Sequence, residues 1–207
     1  MDRRTALRNM TLTLGYAVAT PTVLGILQSC KSDVATWTPM FFTETEGYMI
    51  IKLSDIILPT TDIAGALDVN VPEFMDKMLN EIAPEEEKNM IKEGANAFAN
   101  EFENVYGKSA SKGSTKEYQK LLEKYFNISE EEKKIVFAMQ KEKGSITEDQ
   151  LNKYLIYKFL LATRSYTLYG YYTSEHVGEN ILSYDPIPGK YDPCIPVEEV
   201  GNAWSLS

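Results

Sequence analysis

Chemistry needs titratable, nucleophilic or metal-binding side chains, and this chain holds few of the versatile ones. His176 is its only histidine, and Cys30 and Cys194 are its only cysteines. His176 lies between Glu175 and Glu179, a grouping that a small metal site or a general base would use. With so few ligands near it in sequence, it reads as a solvent-facing or interface-capping imidazole. A single histidine precludes a centre of two or three, and two thiols preclude a four-thiolate site or a disulfide-dense scaffold. A serine hydrolase would need His176 as its base and a Gly-x-Ser-x-Gly elbow, which the sequence lacks. Neither Gly-x-Gly-x-x-Gly after a strand nor Cys-x-x-Cys-His occurs, so no Rossmann-type flavin or nicotinamide site and no attached c-type haem is encoded. The acidic runs 85–87 and 130–132 fall in first helical turns, where they complement the helix dipole in water. No catalytic, cofactor-binding or metal-ligating residue is expected in this chain.

Charge narrows the partners. The 207 residues carry 21 Lys+Arg against 30 Asp+Glu, a net charge of -9. A nucleic-acid groove or a face for anionic lipid needs the opposite balance, to neutralise phosphates. At 43% hydrophobic, the chain has enough apolar surface for one ordinary core.

The first 29 residues read as an address. Arg3, Arg4 and Arg8 form a charged n-region, and residues 11–27 carry no charge at all, as in a secretory signal. Arg3-Arg4 followed by Thr5, Ala6 and Leu7 resembles the twin-arginine export pattern, with Ala6 where Phe is usual. Threonines, glycines and Pro21 interrupt the apolar run, which makes it a weak membrane span and a suitable twin-arginine one. Leu27-Gln28-Ser29-Cys30 resembles a lipoprotein box, with Cys30 lipidated and first in the mature chain; Gln28 is an uncommon occupant. Acyl chains at ~0.8 kcal/mol per buried CH₂ would hold such a protein on a membrane without a basic patch. The alternative is a retained anchor helix with an inert thiol. Once Cys30 is acylated, Cys194 has no intramolecular partner, and it is expected to be buried rather than bridged.

Residues 30–42 then form a tether, and 43–207 form one all-α domain of about six helices with an irregular tail. Thr43 to Glu46 is a capping box, and Met49, Ile50, Leu53, Ile56 and Ile57 follow at helical spacing until Pro59. Residues 59–70 (PTTDIAGALDVN) show turn chemistry. Pro72 opens a second helix with Phe74, Met78, Leu79 and Ile82, and Pro84 opens a third that ends at Gly107. Residues 108–114 (KSASKGS) are expected to be a mobile surface loop. A short helix carries Tyr118, Leu121, Leu122, Tyr125 and Phe126. Capping boxes at Ser129 and Thr147 then open two more: one bearing Ile135, Val136, Ala138 and Met139, the other bearing Leu151, Leu155, Phe159, Ala162, Tyr166 and Tyr169, with Gly170 as terminator.

Beyond Gly170 the pattern changes. Residues 166–191 hold six of the 13 tyrosines, and the tail holds four of the nine prolines. Pro186, Pro188, Pro193 and Pro196 forbid a continuous helix, so the tail lies extended over its own domain or a partner.

Two segments are distinctive. The first spans 54–76 and contains Leu58-Pro59-Thr60-Thr61-Asp62 and Ala64-Gly65-Ala66; the second contains Gly170-Tyr171-Tyr172-Thr173-Ser174 and Pro188-Gly189-Lys190-Tyr191-Asp192-Pro193-Cys194. Together they resemble the gluconate 2-dehydrogenase subunit 3 family, departing from its pattern at Leu58, where Ile is usual, and at Pro193, where Gly is usual. The resemblance implies a non-catalytic accessory subunit with no cofactor of its own. Its partner would be a flavin-dependent large subunit of the glucose-methanol-choline type, holding FAD and oxidising a sugar, sugar acid or alcohol. A cytochrome c subunit carrying haem c commonly completes such a complex. The small subunit would supply the export signal and stabilise its partner on the periplasmic face of a bacterial membrane. The loop residues Pro59, Thr61, Asp62 and Gly65, with Tyr171, Tyr172, Tyr184, Tyr191 and Cys194, are then the expected docking surface. Two other readings stay open at this point: a stand-alone lipoprotein enzyme using Asp62 and His176, and a structural lipoprotein whose tail packs on its own helices.

Overall fold

A computed structural model describes residues 37–141, 146–184, 189 and 194–205. The described residues fall almost wholly in one compact unit, 39–207. The export signal with Arg3 and Arg4, the lipidation residue Cys30 and most of the tether lie outside the described residues. Among those described, every regular element is a helix, and the one β contact is an isolated parallel bridge between Ser183 and Trp204.

Local signals start and stop most of these helices. In α1 (Glu44–Ile57) the Thr43 hydroxyl accepts from the Glu46 amide at 3.3 Å and the Glu46 carboxylate accepts from the Thr43 amide at 2.7 Å. Pro72 sits in the first turn of α2 (Val71–Glu81), and α3 (Glu85–Tyr106) ends on left-handed Gly107. The boxes at Ser129 and Thr147 open α5 (Glu130–Lys141) and α6 (Glu148–Tyr172). An unanticipated box opens α4 (Thr115–Phe126). There the Glu117 carboxylate accepts from the Ser114 amide and hydroxyl and pairs with Lys108, which together hold its pKa down to about 2. Two short helices, α7 (Glu175–Asn180) and α8 (Val197–Val200), interrupt the tail.

The core is filled from five helices: Met49, Ile50 and Leu53 of α1, Met75 and Leu79 of α2, Phe98 and Phe102 of α3, Tyr118 of α4, and Ile156 and Phe159 of α6 are all fully buried. The seam between α3 and α6 is tight enough to require Gly94. A Cβ there would fall 2.6 Å from the Leu155 carbonyl oxygen and 2.8 Å from Phe159 Cβ, so the two backbones meet where only a hydrogen fits. Buried Asp76 ties the entering chain to α2 by accepting from the amides of Met40, Phe41 and Phe42 at 2.7–3.0 Å. Three charge-assisted bonds satisfy a carboxylate that burial would otherwise penalise.

Four expectations are corrected here. Residues 108–114 pack onto the domain rather than forming a solvated surface loop: Ala110–Lys112 form a 3₁₀ turn, Ala110 is buried, and the hydroxyls of Tyr118 and Tyr48 donate to the carbonyls of Ala110 and Gly113 at 2.8 and 2.7 Å. Small residues let this polar segment lie against the rings of Phe102 and Tyr118. Helix α6 runs two residues past Gly170, which packs against Phe74 inside the helix. Its buried residues include the expected Phe159 together with Ile156, Leu160, Thr163, Thr167 and Tyr171, whereas Leu151 and Tyr169 of the expected stripe are exposed. Finally, α5 buries only Val136, leaving Ile135 and Phe137 more than half exposed.

Candidate docking surface

The loop between α1 and α2 is braced by its own backbone. The Ala66 amide donates back to the Leu58 carbonyl at 2.8 Å, so the ends of 59–65 meet. That closure leaves no room at Gly65, where a Cβ would lie 2.4 Å from Thr60 N, 2.6 Å from the Pro59 carbonyl carbon and 2.7 Å from Leu58 O. Asp68 clamps the turn, its Oδ2 accepting from the Thr60 hydroxyl at 2.6 Å and the Gly65 amide at 2.7 Å. The Thr60 bond first, and then the Gly65 bond, hold the Asp68 carboxyl below its ordinary range, with a smaller attraction from the His176 imidazole.

On the loop's inner side, Ala66, Val71, Tyr171 and Val177 form a small buried cluster, flanked by Leu58, Val69, Ile181 and Leu182. The Tyr171 hydroxyl donates to the Ala64 carbonyl at 2.7 Å. One assembly thus joins the loop, the end of α6 and α7. The last described residues return to it. The Ser183 amide donates to the Ala203 carbonyl at 2.9 Å, the Ser205 amide to the Ser183 carbonyl at 2.8 Å, and the Asn202 side chain to the Ile181 carbonyl at 2.6 Å.

These contacts sort the expected site residues. Pro59, Thr61 and Asp62 are exposed on the loop, while Gly65 is buried within it. Tyr171, expected as a docking anchor, is instead a core residue with 6% exposure, because the extended α6 carries it onto the helix's inner face. Tyr172 follows it outward, 44% exposed, its ring meeting Tyr171 edge-on at 5.5 Å. Tyr184 and Trp204 are also about half exposed. Cys194 is exposed, against the expectation of burial. Tyr191 lies outside the described residues. His176 is exposed, and among the described residues no three His, Cys, Asp or Glu side chains are grouped to hold a metal.

Sequence reasoning missed Asp68, Ser183 and Asn202. Asp68 carried one faint signal, an Asp three residues after a glycine in a turn-rich stretch. The other two hold the tail through backbone groups remote in sequence. What the surface offers is half-exposed aromatic side chains, Tyr172, Tyr184 and Trp204, on a backbone-braced support.

The chain matches the family model described as gluconate 2-dehydrogenase subunit 3 over residues 44–189, from the start of α1 through loop, α6 and α7 into the tail. It matches no curated protein and no solved structure. As the family match spans well over half of the sequence, and includes the loop and the junction of α6 and α7 that brace the surface, the chain belongs to the gluconate 2-dehydrogenase subunit 3 family.

Proposed function

We propose that this chain is the non-catalytic small subunit of a flavin-dependent dehydrogenase complex. It binds and stabilises a large subunit of the glucose-methanol-choline type, which oxidises a sugar, sugar acid or alcohol, and it is exported with that subunit. The observation that carries this reading is the braced loop-and-tail assembly, which holds Tyr172, Tyr184 and Trp204 half exposed beside a core of its own. Aromatic side chains supply contact area at low entropic cost and anchor interfaces.

This reading assigns no FAD to this chain. A dinucleotide site places a pyrophosphate between a strand, a glycine-rich turn and a helix N-terminus, and the described residues contain no strand. The flavin belongs to the large subunit, and a haem c, where the complex includes one, to a cytochrome subunit. A flavoprotein must fold around its flavin before crossing a membrane, which the twin-arginine route permits. Arg3 and Arg4 serve that export for both subunits, and acylated Cys30 then anchors the complex on the periplasmic face.

The test is co-expression with a large subunit of this type, followed by purification from membranes. A flavin spectrum is expected to co-purify with this chain. Tyr172→Ala and Tyr184→Ala should each weaken the complex by about 2 kcal/mol with unchanged circular dichroism. Changing Arg3 and Arg4 to Lys should retain both subunits in the cytoplasm. A chain that purifies alone, or a flavoprotein exported normally beside the double-Lys variant, would sink the proposal.

A further inference from the structure

A second concavity, sharing no residue with the loop and tail, opens where α1, α4, α5 and α6 meet. It holds about 590 Å³, within the roughly 300–1,000 Å³ typical of small-molecule sites. Leu53, Ile57, Leu122 and Leu160 give it an aliphatic lining, and Phe126 and Phe137 stand exposed along it. A shallower trough continues past Ile56, Leu122 and Phe126 toward Gln119 and Asn127.

Two neighbouring side chains on α6 interrupt this apolar wall. Thr163 is wholly buried, yet among the described residues its hydroxyl has no hydrogen-bond partner, a state that costs stability unless an occupant supplies one. Arg164 is exposed and makes no ion pair among the described residues, although six lysines of this acidic chain do. It is also the only arginine after residue 8. A guanidinium presents a planar fork that meets both oxygens of a carboxylate, where an ammonium offers a point charge. Among the described residues no acidic side chain lines the groove to compete for it.

We propose that this groove binds a long-chain aliphatic carboxylate. The hydrocarbon lies along the leucine and isoleucine wall. The carboxylate takes the Arg164 guanidinium at the mouth and, once Thr163 turns its hydroxyl from the interior toward the groove, accepts a hydrogen bond from it. A neutral hydrocarbon would leave both polar groups unused, a cationic amphiphile would meet Arg164 head-on, and a small anion would leave the apolar wall empty.

The purified full chain is titrated calorimetrically with dodecanoate, dodecylamine and dodecanol, each below micelle formation. Dodecanoate is expected to bind at one site, about ten-fold or more tighter than either of the others. Arg164→Gln and Thr163→Val should each weaken dodecanoate about ten-fold or more while leaving dodecanol unchanged. Thr163→Val keeps the side chain's shape and deletes only the unpartnered hydroxyl, so the ligand-free variant should melt no lower than the parent. Equal binding of the three amphiphiles, no binding of any, or an Arg164→Gln variant that binds dodecanoate normally overturns the proposal. So does a photo-crosslinker at Phe137 that captures the large subunit while dodecanoate fails to compete, which would make the groove a protein interface.

Discussion

Replacing Tyr171 separates a core residue from an interface anchor. Its ring is 6% exposed in a cluster with Ala66, Val71 and Val177, and its hydroxyl donates to the Ala64 carbonyl at 2.7 Å. Truncating a buried aromatic residue to Ala costs about 3–5 kcal/mol. The cluster is small and its flanking residues are only half buried, so relaxation places Tyr171→Ala near the lower end, about 3 kcal/mol. Tyr171→Phe keeps the ring and strands one carbonyl, for about 1 kcal/mol. At roughly 2–4 °C per kcal/mol for a domain of this size, the melting temperature should fall by about 6–12 °C for the Ala variant and about 2–4 °C for the Phe variant. Tyr172→Ala, at an exposed neighbour, should stay within about 0.5 kcal/mol of the parent. Thermal melts of the purified chain followed by circular dichroism measure all three. A Tyr171→Ala variant that melts like the parent but loses affinity for the large subunit would refute the core assignment and return Tyr171 to the interface.

Gly65→Ala should destabilise by about 1–3 kcal/mol, because all three atoms the new methyl would meet are backbone and cannot swing aside; wild-type urea unfolding would show that the turn has slack. Asp68 has a folded-state pKa below its unfolded value of about 3.9, so its contribution is fully present above that value and is lost as pH falls through the folded pKa. The carboxylate is exposed, which keeps the contribution well under about 1 kcal/mol. NMR titration should therefore show Asp68 protonating at lower pH than an ordinary Asp and shifting upward in Thr60→Val. An unshifted titration in that variant would remove Thr60 as the cause.

What the sequence determined by itself was local. Capping boxes at Thr43, Ser129 and Thr147 and punctuation at Pro72 and Gly107 act through groups three or four residues away, so the all-α class and most helix boundaries follow from the chain order. The motif segments 54–76 and 166–196 likewise pointed to the family without any fold. Burial was decided elsewhere. Thr163 and Thr167 count as polar in a periodicity argument, yet both lie inside. The Thr167 hydroxyl donates to the Thr163 carbonyl and meets Ser54 Oγ, which satisfies it within the interior. The same register carries Tyr171 inward and Tyr172 outward. Residues 108–114 look like a solvated loop by composition, but two tyrosine hydroxyls from α1 and α4 hold them. Asp76 and Asp68 carry no chemical motif, and each is explained by amides it receives from other parts of the chain: residues 40–42 for Asp76, and Gly65, with the Thr60 hydroxyl, for Asp68. Side-chain type sets which bonds a residue can make; only the tertiary fold determines which partners come within 3 Å, and that choice separates core from surface here.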